Sequence, residues 1–147
     1  MDKNVWVVSV NDYPEYVTST EENAFNWLED YLDREEKEKR NEILTEIRNW
    51  GFICNNDCNY AIDKVRYSII KENNYMNKKV WVISIDEIPR YIVDTKEAAI
   101  TFIQTNIFPS RFYSKETETK IIAILDSDEF YDEINGSYAI DEVLYED

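Results

Sequence analysis

A chain of 147 residues with 44% hydrophobic and 14% aromatic content has the apolar supply for a packed core, which excludes a disordered acidic tail. With 31 acidic and 16 basic residues and no histidine, the formal net charge is −15; a field of that sign excludes direct binding to nucleic acid or to an anionic membrane. The longest apolar run, residues 121–125, falls far short of the roughly 20 residues that a membrane-crossing helix needs.

The first element in chain order is a β-branched, alternating stretch at residues 5–10. It places Trp6, Val8 and Val10 on one side and Val7 and Ser9 on the other. A polar break at Asn11, Asp12 and Pro14 leads to a second strand near residues 15–19, so the pair predicts a β-hairpin. Thr20 then offers an N-cap, with Glu21 and Glu22 in the first turn. Ala24, Trp27, Leu28, Tyr31 and Leu32 follow at the spacing of an amphipathic helix. A mixed-charge stretch over residues 33–40 continues into a second helix carrying Ile43, Leu44 and Ile47, ended by Gly51. A final strand is expected near residues 62–69.

The same order then recurs. Met76, Lys78, Val80, Trp81, Val82 and Ser84 repeat Met1, Lys3, Val5, Trp6, Val7 and Ser9. Without a gap, Pro89, Tyr91, Thr95, Glu97 and Ala99 repeat Pro14, Tyr16, Thr20, Glu22 and Ala24. The string Tyr60, Ala61, Ile62, Asp63 returns as Tyr138, Ala139, Ile140, Asp141 after three extra residues in the second copy. Such ordered self-similarity marks a tandem duplication, with residues 1–72 and 76–147 as the two copies, packed together. Copy two carries Thr95 as cap and Ala99, Phe102, Ile103 and Ile107 as stripe. It is expected to break at residues 108–110 and, by analogy with copy one, to form a further helix capped by Ser114, although residues 121–125 also suit a short buried strand, before a last strand near residues 139–145. The expected fold is α+β: a β-β-α-α-β unit used twice, each copy a three-stranded antiparallel sheet with helices on one face. Trp6 and Trp81 read as core anchors.

Signatures of catalysis are missing from the sequence. It has no histidine for a general base, no Gly-x-Ser-x-Gly elbow and no glycine-rich phosphate loop, since Gly51 and Gly136 are the two glycines. The expectation is a non-enzyme without a cofactor. Cys54 and Cys58 supply two thiols where a zinc site needs four ligands, so no metal is expected there. Two cysteines and no visible secretory signal at the start predict a reducing cytosol.

Acidic clusters are the remaining chemistry. Residues 126–133 look like a calcium loop but place Phe130 where an oxygen donor is needed and lack the turn glycine. Their carboxylates beside aromatic rings suit the lysine or arginine side chains of a protein partner instead. The candidate partner-binding residues there are Asp126, Asp128, Glu129, Tyr131, Asp132 and Glu133. On the first helical stretch they are Glu29, Asp30, Asp33, Glu35 and Glu36, which either imitate a row of phosphates or form a solvated face laced with i,i+4 pairs. Solubility is the plainer account of the charge as a whole.

The pattern Val5-Trp6-Val7-Val8, Tyr16-Val17, Glu21-Glu22-Asn23-Ala24 and Tyr60-Ala61-Ile62-Asp63-Lys64-Val65 resembles small phage and prophage proteins. In size, acidity and lack of catalytic groups the chain is similar to phage anti-defence inhibitors of the anti-CRISPR type. This resemblance implies a protein of the host cytosol that occludes the basic surface of a defence or nucleic-acid-handling protein. A toxin-neutralising immunity protein and a small-molecule enzyme stand as alternatives.

Overall fold

A computed structural model of the chain describes residues 2–54, 58–68, 78–127, 129–132 and 136–146. Strands β1 (Asp2–Val10) and β2 (Tyr13–Thr18) form a hairpin, followed by α1 (Glu21–Tyr31), a 3-10 turn (Leu32–Arg34), α2 (Lys37–Trp50), β3 (Phe52–Cys54) and β4 (Asn59–Ser68). The second half runs β5 (Lys78–Ile85), β6 (Ile88–Val93), α3 (Lys96–Phe102), a π-helical turn (Ile103–Ile107), α4 (Phe108–Arg111), α5 (Lys115–Leu125), β7 (Phe130–Asp132) and β8 (Gly136–Glu146).

Local chemistry explains most of these boundaries. The Thr20, Thr95 and Ser114 side chains accept hydrogen bonds from the backbone N–H groups of Asn23, Ala98 and Thr117 and so start α1, α3 and α5. Gly51 stops α2 with φ +81°, its N–H donating to Ile47 O. Both hairpins turn through two residues of positive φ, Asn11 and Asp12 in one and Asp86 and Glu87 in the other. That is the twist-matched geometry usually given to Asn-Gly or Asp-Gly. Each hairpin also shifts register at the same place, between Val8 and Ser9 and between Ile83 and Ser84, opposite Pro14 and Pro89.

The expected pair of three-stranded sheets, each with one helical face, does not form. Six strands close into a single barrel, in the order β1-β2-β8-β5-β6-β4 and back to β1. Within each half the strands pair antiparallel, and the halves join at two parallel seams, β2 to β8 and β4 to β6. The physical reason lies in β1 and β5, which are apolar on both faces. Trp6, Val8 and Val10 turn outward to the helices, while Val5 and Val7 turn inward and need cover of their own. A separate sheet would leave that second face and the edges of β2, β4, β6 and β8 to water; closure buries the face and pairs the edges.

Three apolar layers result. Val5, Val7, Val17, Val65, Tyr67, Val80, Val82, Ile92, Val143 and Tyr145 fill the barrel. Outside it, α1 and α2 cover one half through Ala24, Leu28, Ile43 and Ile47, and α3 to α5 cover the other through Ala99, Ile103, Phe108 and Ile121. Trp6 and Trp81 pack, partly buried, against these two outer layers.

One end of the barrel is plugged. The Tyr67 and Tyr145 rings lie 5.8 Å apart there. Lys3 donates to the Tyr145 hydroxyl at 2.6 Å, Tyr67 donates to Asp94 at 2.6 Å, and Lys78 bonds both Tyr67 and Asp94. The buried phenols are therefore satisfied. Among the described residues no helix is long and apolar enough to cross a membrane.

Candidate functional site at the open end of the barrel

The opposite end is built differently. Along β4, Phe52–Cys54 pair with residues 59–61, whereas β6 pairs only with Arg66 and Tyr67. Along β8, Phe130–Asp132 pair with residues 136–138, whereas β2 pairs only with Tyr145 and Glu146. The short strands β3 and β7 thus stand beside β4 and β8 where the parallel seams have splayed apart. Each splayed seam holds a cavity. One of about 250 Å³ lies between the β1–β2 turn and β7–β8; the other, of about 490 Å³, lies between the β5–β6 turn and β3–β4.

The inward alternation of the strands sets the lining. On β8 it brings Ala139 and Asp141 into the first cavity, with Ser84 from the neighbouring β5. On β4 it brings Ala61 and Asp63 into the second, with Ser9 from β1. The turns supply Asp12 and Glu87 to both cavities, and Asp86 to the second. Neither cavity has a lysine or arginine among its lining residues. The turns are fixed to the strand ends by matched bonds: Asn11 Oδ1 accepts from Asn59 N at 3.1 Å, and Asp86 Oδ1 accepts from Ser137 N at 3.2 Å.

Electrostatically the site is held in tension. Burial pushes the Asp141 carboxyl up to about 6, reinforced by the negative charges of Glu129 and Glu15. Burial also raises Asp63, but there the Arg90 guanidinium opposes the shift. Asp141 Oδ2 and the hydroxyls of Ser9 and Ser84 are buried without a hydrogen-bond partner. Such groups cost free energy until something bonds to them. Around the first cavity stand Tyr13, Phe130, Tyr131 and Tyr138; Phe52 and Tyr60 flank the second.

The acids anticipated from the sequence are not brought together as one surface. Glu29, Asp30, Asp33, Glu35 and Glu36 lie at the corner between α1 and α2. Asp33 there pairs with Arg40 at 2.9 Å and Glu35 with Lys39 at 3.0 Å. Glu35 also acts through space on Tyr60, at the edge of the second cavity. In the other half, Asp126 pairs with Lys96 at 3.5 Å at the end of α5, and Asp132 ends β7. Glu129 and Tyr131 line the first cavity. Asp128 and Glu133 lie outside the described residues.

Sequence reasoning missed Asp63, Asp141, Ser9, Ser84, Asp12 and Glu87. A signal was present: the matched Tyr-Ala-Ile-Asp strings put a carboxylate inside an apolar strand in both copies. Among the described residues, no group of three or more His, Cys, Asp or Glu side chains is placed to hold a metal ion. Cys54 and Cys58 are thiols rather than a disulfide. No protein-family model, curated protein or solved structure matches the chain.

Proposed function

We propose that this chain is a non-enzymatic binding protein that covers a cationic surface of another protein with the open end of its barrel, in the manner of an occluding inhibitor. The observation that carries this reading is the lining of the two cavities, which present Asp12, Asp63, Asp86, Glu87, Glu129 and Asp141 and no basic residue. The net charge of −15 steers cationic partners toward the molecule from a distance. Aromatic side chains at the rim, Tyr131 and Tyr13 among them, are exposed and flank the carboxylates. Rings in that position pack against the stems of lysine and arginine and add a cation–π attraction.

The test compares the chain with a variant in which Asp12, Glu87, Glu129 and Asp141 are replaced by their amides. Both are immobilised and exposed to lysate at low and high salt. Basic proteins are expected on the unmodified chain at low salt, with loss at high salt and loss in the variant. Equal retention by both forms at both salt concentrations overturns the reading.

A further inference from the structure

The two splayed seams are built alike but differ at one matched pair of positions. At the matched register shifts of the two hairpins, β6 carries Arg90, whose charge acts on Asp63, and β2 carries Glu15, whose charge acts on Asp141. One seam thus brings its own guanidinium toward its buried carboxylate. The other adds a second carboxylate, and Glu129 adds a third. From this contrast, and resting on the reading above, we infer that the seam holding Asp141 and Ser84 is a subsite for a single guanidinium or alkylammonium group of the partner, which supplies the positive charge that Arg90 brings to bear on Asp63 in the other seam.

The buried oxygens and the cavity beside them support the assignment. Ser84 is 3% exposed, lines the cavity, and its hydroxyl has no hydrogen-bond partner. Asp141 Oδ2 is buried in the same condition. Asp141 lies two residues along β8 from Ala139, the partner of Ser84, so both side chains face the same side of the sheet, and a donor with more than one N–H offers a bond to each. The cavity of about 250 Å³ has room for the end of one long side chain, and Tyr131 and Phe130 form walls for its methylene stem. Lys96 lines an adjoining cavity with Glu129 and Asp141 but is paired with Asp126, and the Asp141 carboxyl stays raised, so an incoming cation would favour its ionised form.

The experiment is a two-dimensional NMR titration of the full chain with N-acetyl-arginine amide, with n-butylamine and, separately, with calcium chloride. The expected result is saturable shifts at Ser84, Ala139 and Asp141 with both organic cations, and none at Ser9 or Asp63. Glu15→Arg supplies an internal cation and should weaken binding by about tenfold or more, the scale of one charge-assisted contact. Arg90→Glu should open a second site with new shifts at Ser9 and Asp63. Asp141→Asn, confirmed as folded by its spectrum, should lose the first site. The inference is overturned if neither organic cation shifts Ser84 and Asp141, if Glu15→Arg leaves the affinity unchanged, or if calcium binds there and the amines do not. Cation binding at the open end but at Asp12, Asp86 or Glu87 rather than at Ser84 and Asp141 overturns this inference and leaves the broader reading standing. Absence of binding by any cationic probe or basic protein overturns both.

Discussion

The carboxylate of Asp86 fills the space beside Gly136: a Cβ built on that glycine stands 2.6 Å from Asp86 Oδ1. Gly136 also has φ +85°, where a side chain adds backbone strain. Asp86 cannot simply swing away, because it accepts the Ser137 N–H and pairs with Arg111 at 3.7 Å. Gly136→Ala is therefore expected to destabilise the fold by about 1–3 kcal/mol, read as a lower midpoint in thermal unfolding. Asp86→Ala in the same background removes the clash and should recover part of the loss.

Asp141 gives a pH dependence with a definite sign. Its folded-state carboxyl titrates at about 6, against 3.8 for the ordinary group. Between those values the folded chain holds a proton that the unfolded chain has released, so stability from this group falls as pH rises from about 4 to about 6. At pH 7 the charged carboxylate is a net cost. Asp141→Asn should raise stability at pH 7 by about 1–2 kcal/mol, the shift being discounted for partial solvent screening, and should have little effect near pH 4. Chemical denaturation at both pH values checks this. An equal change at the two values would contradict it.

At the plugged end the opposite holds, because charge and partner are matched. Asp94 accepts from Tyr67 and pairs with Lys78, and burial lowers Lys78 from its ordinary value. Asp94→Ala leaves the Tyr67 hydroxyl and the Lys78 ammonium poorly satisfied, which should cost about 2–4 kcal/mol. Lys78→Met in that background relieves the buried cation and should restore stability in part. A double-mutant cycle by urea denaturation measures the coupling.

Ile92 tests the lumen. It is 0% exposed among side chains drawn from both halves of the chain. Ile92→Ala should cost about 2–5 kcal/mol, as for other buried truncations, in one cooperative transition for the whole chain. Two separated transitions in calorimetry would show that the halves melt independently and that the shared lumen does not couple them.

What the sequence makes legible is local. The hairpins, the caps Thr20 and Thr95 and the stop at Gly51 follow from side chains and their near neighbours, whereas the helix at residues 115–125 follows from analogy with the first copy, because residues 121–125 alone also suit a buried strand. The break expected at residues 108–110 does not occur. A π-helical turn carries the chain into α4, where Pro109 sits in the first turn and its missing N–H is no loss. Strands β3 and β7 are three residues each and exist through pairing with β4 and β8, too short for any periodicity to show. Barrel closure depends on contacts between distant halves. Its trace in the sequence is that Val5, Trp6, Val7 and Val8 are apolar without alternation, a two-faced strand read as one-faced. Of the anticipated binding residues, Glu129 and Tyr131 reach the open end through β7 and the residue before it. The carboxylates that matter there, Asp63 and Asp141, acquire their meaning when the seams splay.

The parallel seams carry a consequence for how such a molecule can diversify. Each seam joins a strand from one half to a strand from the other, so two separate copies of a half would close the same barrel as a twofold dimer. In that dimer every rim position would be duplicated, and a change made on one side would appear on both. Joined in one polypeptide, the sides are released from that constraint: position 15 can become acidic while its counterpart at 90 becomes basic. Covalent linkage thereby lets the two ends of one rim differ in charge, which a twofold arrangement forbids.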